Sequence, residues 1–304
     1  MRERYVEQVR LLMRLLPAIA AEEVFALKGG SAINLFYRDM PRLSVDIDLT
    51  YVPIEDRAVS LQQIDATLDR IMDSFGRSNR DVRLQRIAGG GNLETRIMAS
   101  RGAASVKIET SPVMRGTVLS PVLMRVSDAV EEAFGFAEMP VLAFEDLFAG
   151  KLHAALDRQH PRDLYDIHLL YENEGLTDDL FRVFLAYVCA SGRPPHELLA
   201  PPAVPINALY TEEFIGMTRE EVALSDLETA RTRLIADIRS RLTGKSAAFL
   251  LSLHDAEPDF ALIDLPQAER LPAIQWKLLN LRRLKAENPA KHAEQGEMLK
   301  ALFV

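Results

Sequence analysis

Asp46 and Asp48 stand two residues apart in the segment RLSVDIDL, where Leu43, Val45, Ile47 and Leu49 alternate with polar residues. That alternation predicts a strand over residues 44–50 with one buried face, and side chains two apart on a strand point the same way. Two carboxylates held side by side repel unless a cation lies between them, and hard oxygen donors suit Mg²⁺. The bland alternative is the wet face of an amphipathic strand. Upstream, LKGGSAINLF places Gly29, Gly30 and Ser31 where a strand turns into a helix. Glycines let a backbone approach an anion closely, and a helix N-terminus presents N–H groups to it. The competing reading is a tight turn with Ser31 as an ordinary N-cap. An anion cradle beside a carboxylate pair describes triphosphate chemistry.

Two further segments carry candidates. In FEDLFAGKLHAAL, the residues Phe144, Leu147, Phe148, Leu152 and Ala155 form one apolar stripe at helical spacing, and Lys151 falls within it. A lysine there must snorkel, pair or face a cleft. In RQHPRDLYDIHLL, Pro161 fits the first helical position, so Asp163 lies in the first turn, where the helix dipole stabilises it. Asp166, three residues on, reads as structural.

The elements that must position these groups follow from periodicity. Val6, Val9, Leu12, Leu16 and Ile19 predict a helix over residues 5–20 with a kink or end at Pro17, and Leu61, Ile64, Leu68, Ile71 and Phe75 predict another over 60–75. Strands alternate with these helices up to residue ~140. From Phe144 onward nearly everything is helical, including a capping box formed by Ser225 and Glu228. Five of the 16 prolines fall between Pro194 and Pro205, which predicts a linker or extended excursion there. The chain of 304 residues is long enough for two domains, 1–140 and 141–304.

Composition sets the outer bounds. With 48% hydrophobic and 26% charged residues the chain is neither disordered nor collagen-like, and its single Cys189 cannot form an internal disulfide. No apolar run approaches the ~20 residues of a membrane span. Arg2 and Arg4 precede apolar residues, but Arg10 and Arg14 interrupt the run, so the N-terminus reads as an amphipathic helix rather than an export signal. A cytoplasmic location is the default. The net charge of −8 argues against nucleic-acid partners, yet from Arg77 to Lys107 seven basic residues (Arg77, Arg80, Arg83, Arg86, Arg96, Arg101, Lys107) face two acidic ones, Asp81 and Glu94, a local excess of 7 − 2 = +5. Trp276 and Cys189 read as core.

Gly-Ser, a short helix, then Asp-x-Asp on the next strand resembles the nucleotidyltransferase superfamily related to DNA polymerase β. Within it, LKGGSAINLF followed by RLSVDIDL, and later RDLYDI, is similar to the AbiEii/AbiGii toxins of type IV toxin–antitoxin and abortive phage-infection systems. The resemblance implies an α+β fold, a polymerase-β-like domain with a mixed sheet and flanking helices, followed by a mainly helical domain that contributes Lys151 and Asp163 to the cleft. It implies a Mg²⁺-dependent nucleotidyltransferase toxin that moves NMP from an NTP to RNA, at the tRNA 3′ end, and is opposed by a cognate antitoxin protein. By the same carry-over, Gly29, Gly30, Ser31 and Arg162 bind nucleotide, Asp46 and Asp48 bind metal and catalyse, and Lys151 and Asp163 are catalytic. Glu109 in SVKIETS is the candidate third metal carboxylate; it shares a strand face with Lys107, so a surface ion pair is its alternative. Ser44, on the face of Asp46 and Asp48, is a candidate regulatory phosphosite, where added charge would block nucleotide binding. The rival functions are transfer to a small molecule such as an antibiotic, transfer to a protein hydroxyl, and a non-catalytic nucleotide-binding regulator.

Overall fold

The computed structural model describes residues 3–87 and 95–303. It divides into two compact units, Met1–Ala143 with Gly216–Glu221, and Phe144–Ile215 with Val222–Val304. Arg2 and Glu94 lie outside the described residues.

The first unit contains, in chain order, α1 (Glu3–Ala20), β1 (Phe25–Lys28), α2 (Gly29–Ala32), β2 (Ile47–Tyr51), α3 (Arg57–Ser78), β3 (Arg83–Ile87), β4 (Arg96–Arg101), β5 (Ala104–Thr110), β6 (Val122–Arg125), α4 (Asp128–Phe134) and β7 (Glu138–Val141). The strands form one mixed sheet in the order β3-β4-β5-β2-β1-β7-β6. β2 is antiparallel to β1 and parallel to β5, while β1 is parallel to β7. One sheet face buries Leu27, Ile47, Leu49, Ile108 and Val106, and α1 covers it with Val9, Leu12, Leu16 and Ile19. Pro17 sits inside α1 without ending it. The turn after β1 is tighter than its sequence suggests: α2 begins at Gly29 and winds directly into a π-helical turn, Ile33–Tyr37.

β2 starts at Ile47, so Asp46 stands in extended chain just ahead of it rather than inside a strand beginning at residue 44. The chain before it pairs with a segment far away in sequence. Leu43 N donates to Met217 O (2.8 Å), Arg219 N donates to Pro41 O (2.8 Å), and Arg42 and Thr218 form an antiparallel bridge. Alternation along one segment cannot reveal a partner that lies some 175 residues downstream.

The second unit is helical: α5 (Phe144–Asp157), α6 (Pro161–Asn173), α7 (Asp178–Ala190), α8 (Pro195–Leu199), α9 (Asn207–Leu209), α10 (Leu224–Ser240), α11 (Gly244–His254), α12 (Pro272–Glu287) and α13 (Pro289–Lys300). α5 packs on α6 and α7, and α10 on α6. The proline-rich stretch is not a plain linker, because Pro195 occupies the first position of α8, where its missing N–H costs nothing, and Leu198 and Leu199 are buried. Gln159 then holds the extended chain beyond it, donating to Pro202 O (2.8 Å) and accepting from Val204 N (3.0 Å). The start of α10 lies two residues earlier than its apparent capping box: Asp226, not Glu228, reaches back to the backbone N–H of Ala223 (3.2 Å). Cys189 is fully buried, as expected, whereas Trp276 is 60% exposed on α12.

Candidate active site

Sheet register sets four charged residues in one row. Lys28 on β1 is opposite Asp48 on β2, Asp48 is level with Glu109 on β5, and Glu109 is opposite Arg96 on β4. Because neighbouring strands lie ~4.8 Å apart, the row places cation, carboxylate, carboxylate, cation side by side on the face away from Leu27 and Leu49. Lys28, Asp48, Glu109 and Arg96 also line one open pocket of about 610 Å³, together with Thr95, Ser111, Pro112 and Val113.

The carboxylates are not equivalent. Glu109 receives Arg96 Nε (2.8 Å) and Nη2 on one oxygen and Lys107 Nζ (2.9 Å) on the other. Burial works against its charge, but Lys107 and Arg96 hold its pKa below the usual range. Lys107 in turn, although burial opposes it, is kept more basic than usual by Glu109, Asp46 and Asp48. The ion pair with Lys107, the alternative to a metal role for Glu109, is therefore present, with Arg96 added to it. Asp48 is half-buried, and its carboxylate makes no hydrogen bond or ion pair within 4.0 Å among the described residues. Burial pushes its pKa up; the charge of Lys28 offsets part of this, and that of Asp46 adds to it. Burial also lowers the pKa of Lys28, against the pull of Asp48 and Glu109.

This donor set fits Mg²⁺ in a particular way. No three His, Cys, Asp or Glu side chains converge as a ready cation cage among the described residues. Mg²⁺ rarely uses such cages; it is held by one or two carboxylates, with the remaining oxygens coming from substrate phosphates and water. Asp46 and Asp48 are the carboxylates left open for such a role, whereas Glu109 is already engaged by two cations.

The turn after β1 is built against this pair. Ser31 is 1% exposed, its hydroxyl donates to the main-chain carbonyl of Asp46, and it lies 3.2 Å from Ser44 Oγ. Ser31 thus fixes the backbone that presents Asp46. Gly29 has φ +76°, and a Cβ there would sit 2.5 Å from Asp48 Oδ2. At Gly30 a Cβ would meet Arg42 Nη2 and Ser44 Oγ, both at 2.7 Å. Gly29→Ala is expected to cost about 1–2 kcal/mol from the left-handed conformation alone and to displace the Asp48 carboxylate. Thermal melts should show the loss, and transfer activity should fall further than the stability change explains.

Pattern reading of the sequence missed Lys28, Asn34, Arg42 and Arg96. Asn34 is fully buried; its amide donates to Gly30 O (2.7 Å), and its side-chain oxygen accepts from Arg42 N (3.3 Å). An asparagine within the otherwise apolar run INLF, four residues after Gly30, was its only sequence signal.

The basic stretch is largely neutralised. Arg86 pairs with Asp65 and Asp69 of α3, Arg101 with Asp81 and Glu7, and Arg96 and Lys107 with Glu109. Arg77, Arg80 and Arg83 are exposed and make no ion pair among the described residues. The +5 excess counted along the chain omitted Asp65, Asp69 and Glu7, which folding brings to it.

In the helical unit, Lys151 resolves the conflict in its apolar stripe by pairing. Its Nζ reaches Asp163 Oδ1 (2.8 Å) and Asp166 Oδ2 (2.9 Å), with side-chain exposures of 8%, 1% and 0% respectively. Arg158 adds two bonds to Asp163, 2.5 Å from Nε and 3.0 Å from Nη2. Burial would raise the Asp163 pKa, but Lys151 and Arg158 hold it far below the usual carboxylate range. A carboxylate with a depressed folded-state pKa stabilises the protein above its unfolded pKa of ~3.9 and loses that contribution as pH falls. Acid titration followed by circular dichroism should therefore show stability dropping below about pH 5, and Asp163→Asn should flatten this acid limb. Arg162 is partly exposed beside Glu213 (4.0 Å), and His160 caps α6 through Nδ1, accepting from Arg162 N (3.1 Å).

Comparison with known proteins bears on this geometry. A family profile described as nucleotidyl transferase AbiEii toxin, type IV TA system, matches residues 10–280. No curated protein sequence matches. Among solved structures, the fold is similar to that of MenT4, a nucleotidyltransferase toxin from Mycobacterium tuberculosis H37Rv, with TM-score 0.60 and 16% identity over 92% of this chain and 95% of that one.

Proposed function

The chain belongs to the AbiEii family of nucleotidyltransferase toxins of type IV toxin–antitoxin systems, and from that premise we propose that it transfers NMP from an NTP to an RNA hydroxyl, at the 3′ end of tRNA, with Mg²⁺ as cofactor. The observation that carries this reading is the Lys28–Asp48–Glu109–Arg96 row, flanked by Asp46, in which Glu109 is ion-paired while the carboxylates of Asp46 and Asp48 have no hydrogen-bonded or ion-paired partner among the described residues. Asp46 and Asp48 would hold Mg²⁺, which when bound would supply positive charge to the phosphate oxygens and lower the pKa of the attacking hydroxyl. The glycine turn packs its main chain directly against Asp48, Arg42 and Ser44, and its unhindered N–H groups would meet the triphosphate beside the carboxylates. Asp46, its backbone fixed by Ser31, orients the hydroxyl and takes its proton. The hydroxyl oxygen forms a bond to the α-phosphorus, the bond to the bridging β-phosphate oxygen breaks, and pyrophosphate leaves. Lys28 and Arg96 flank the carboxylates and offset the charge that gathers there.

By their family motifs, Lys151 adds cationic charge toward the phosphates, Asp163 holds Lys151 in its charged form, and Arg162 assists nucleotide binding. The family implies an antitoxin. Ser44, packed against Gly30 and Ser31, is where a phosphate would close the nucleotide site to that partner's advantage. The cytoplasm is the place of action, and among the described residues no helix is long and apolar enough to cross a membrane.

Incubation with each α-labelled NTP, Mg²⁺ and total RNA is expected to place label on RNA 3′ ends. Label transfer that persists in Asp46→Ala would sink the assignment. The neutralisation of four of the seven basic residues favours a second reading, a small-molecule acceptor. Replacing Arg77, Arg80 and Arg83 together by Gln separates the two: an RNA enzyme loses affinity and salt sensitivity, whereas a small-molecule enzyme keeps its turnover.

A further inference from the structure

One buried cation has no role in that scheme. Arg115, in the chain between β5 and β6, is 6% exposed, and neither its Nε nor its Nη1 has a hydrogen-bond partner. No other atom of its guanidinium makes a hydrogen bond or ion pair among the described residues. Burying a guanidinium without a partner is costly, so an unligated arginine of this kind points to a missing anion. Its surroundings agree. Arg57, the first residue of α3, is close enough that its positive charge, after burial, is the next cause lowering the Arg115 pKa. α3 is 22 residues long, and no side chain caps its N-terminus, since Asp56 stands at the cap position without the capping hydrogen bond. The nearby acid is occupied: Glu55 accepts from Tyr51 OH (2.8 Å) and does not pair with Arg115 within 4.0 Å. Main-chain bonding fixes the location, because Gly116 N donates to Tyr51 O (2.8 Å) at the end of β2.

We propose that Arg115, Arg57 and the N-terminus of α3 form a phosphate site that takes a backbone phosphodiester of the nucleic-acid acceptor. Tyr51 lies three residues beyond Asp48 on β2, so the site stands ~10 Å along the strand from the carboxylate row. That separation suits a phosphodiester at some distance from the reacting hydroxyl. The guanidinium groups of Arg115 and Arg57 supply N–H donors that phosphate oxygens accept, and the helix end adds partial positive charge.

The assignment of the occupant to RNA rests on the function proposed above, and the test separates the two. In thermal melts, inorganic phosphate at matched ionic strength is expected to raise the melting temperature of the full-length protein but not of Arg115→Met, while Arg115→Met without phosphate melts no lower than wild type. With end-labelled tRNA in anisotropy titrations without NTP, Arg115→Met and Arg57→Gln are each expected to weaken binding about 5- to 20-fold. Each should reduce the slope of log K against log salt by roughly 0.7–0.9, with NTP affinity unchanged by calorimetry. Phosphate that stabilises wild type and Arg115→Met alike, or neither, overturns the site. Equal tRNA affinity at every salt concentration overturns its assignment to RNA, as does a parallel loss of NTP affinity. Failure of the function proposed above would show separately, as wild type that binds tRNA and leaves it unlabelled.

Discussion

Asp48→Asn is expected to reduce nucleotidyl transfer by on the order of 10³-fold, while the protein melts no lower than wild type. The two outcomes have one origin. Asp48 is a half-buried carboxylate without a hydrogen bond or ion pair among the described residues, and it stands beside Glu109 in register and near Asp46. Removing its charge relieves like-charge repulsion and desolvation in the free protein. It also removes one of the two carboxylates proposed to hold the cofactor, and losing a single preorganised electrostatic group commonly costs 10²–10³ in rate. Asparagine keeps the shape, so folding is undisturbed. Calorimetric titration of Mg²⁺ with NTP should show binding weakened in parallel, which separates loss of the metal site from loss of a merely structural residue. A melting temperature that falls together with activity would mean that Asp48 is a structural anchor, and the catalytic assignment would fail.

The largest stability effect is expected at Lys151. Lys151→Met leaves Asp166 and one side of Asp163 buried without their shared cation, and breaking a buried pair from one side costs about 3–5 kcal/mol. At roughly 2–4 °C per kcal/mol for a unit of this size, the melting temperature should fall by ~6–20 °C. A lysine assigned to catalysis by its motif is therefore also a structural cation, and inactivity of the single variant proves nothing about chemistry. The double variant Lys151→Met/Asp166→Asn removes one charge of each sign and is expected to recover more than half of the lost stability. If it regains its fold and remains inactive, Lys151 acts on the reaction. If transfer activity returns with the fold, Lys151 is structural.

The parts of the site that were legible in the sequence were local. Asp46 and Asp48 declared themselves through period-two alternation, and Gly29 and Gly30 through a turn that must follow an apolar run. Periodicity also required Lys151 to snorkel, pair or face a cleft, though not which, because Asp163 and Asp166 reach it only once α5 and α6 pack. Lys28 and Arg96 were out of reach for a different reason: their places beside Asp48 and Glu109 depend on sheet order, which no single segment encodes. The basic stretch misled because charge was counted along the chain, whereas Arg86 meets its acids on α3. Trp276 misled because hydrophobicity states a preference for the interior, not a location.

The return of residues 216–221 to the stretch ahead of Asp46 has a consequence during synthesis. Pro41 and Leu43, which set the approach to the carboxylate pair, wait for backbone partners that are translated only after more than two thirds of the chain. A fragment that ends before residue 216 carries both aspartates and the glycine turn yet lacks the segment that pairs with the chain leading to Asp46.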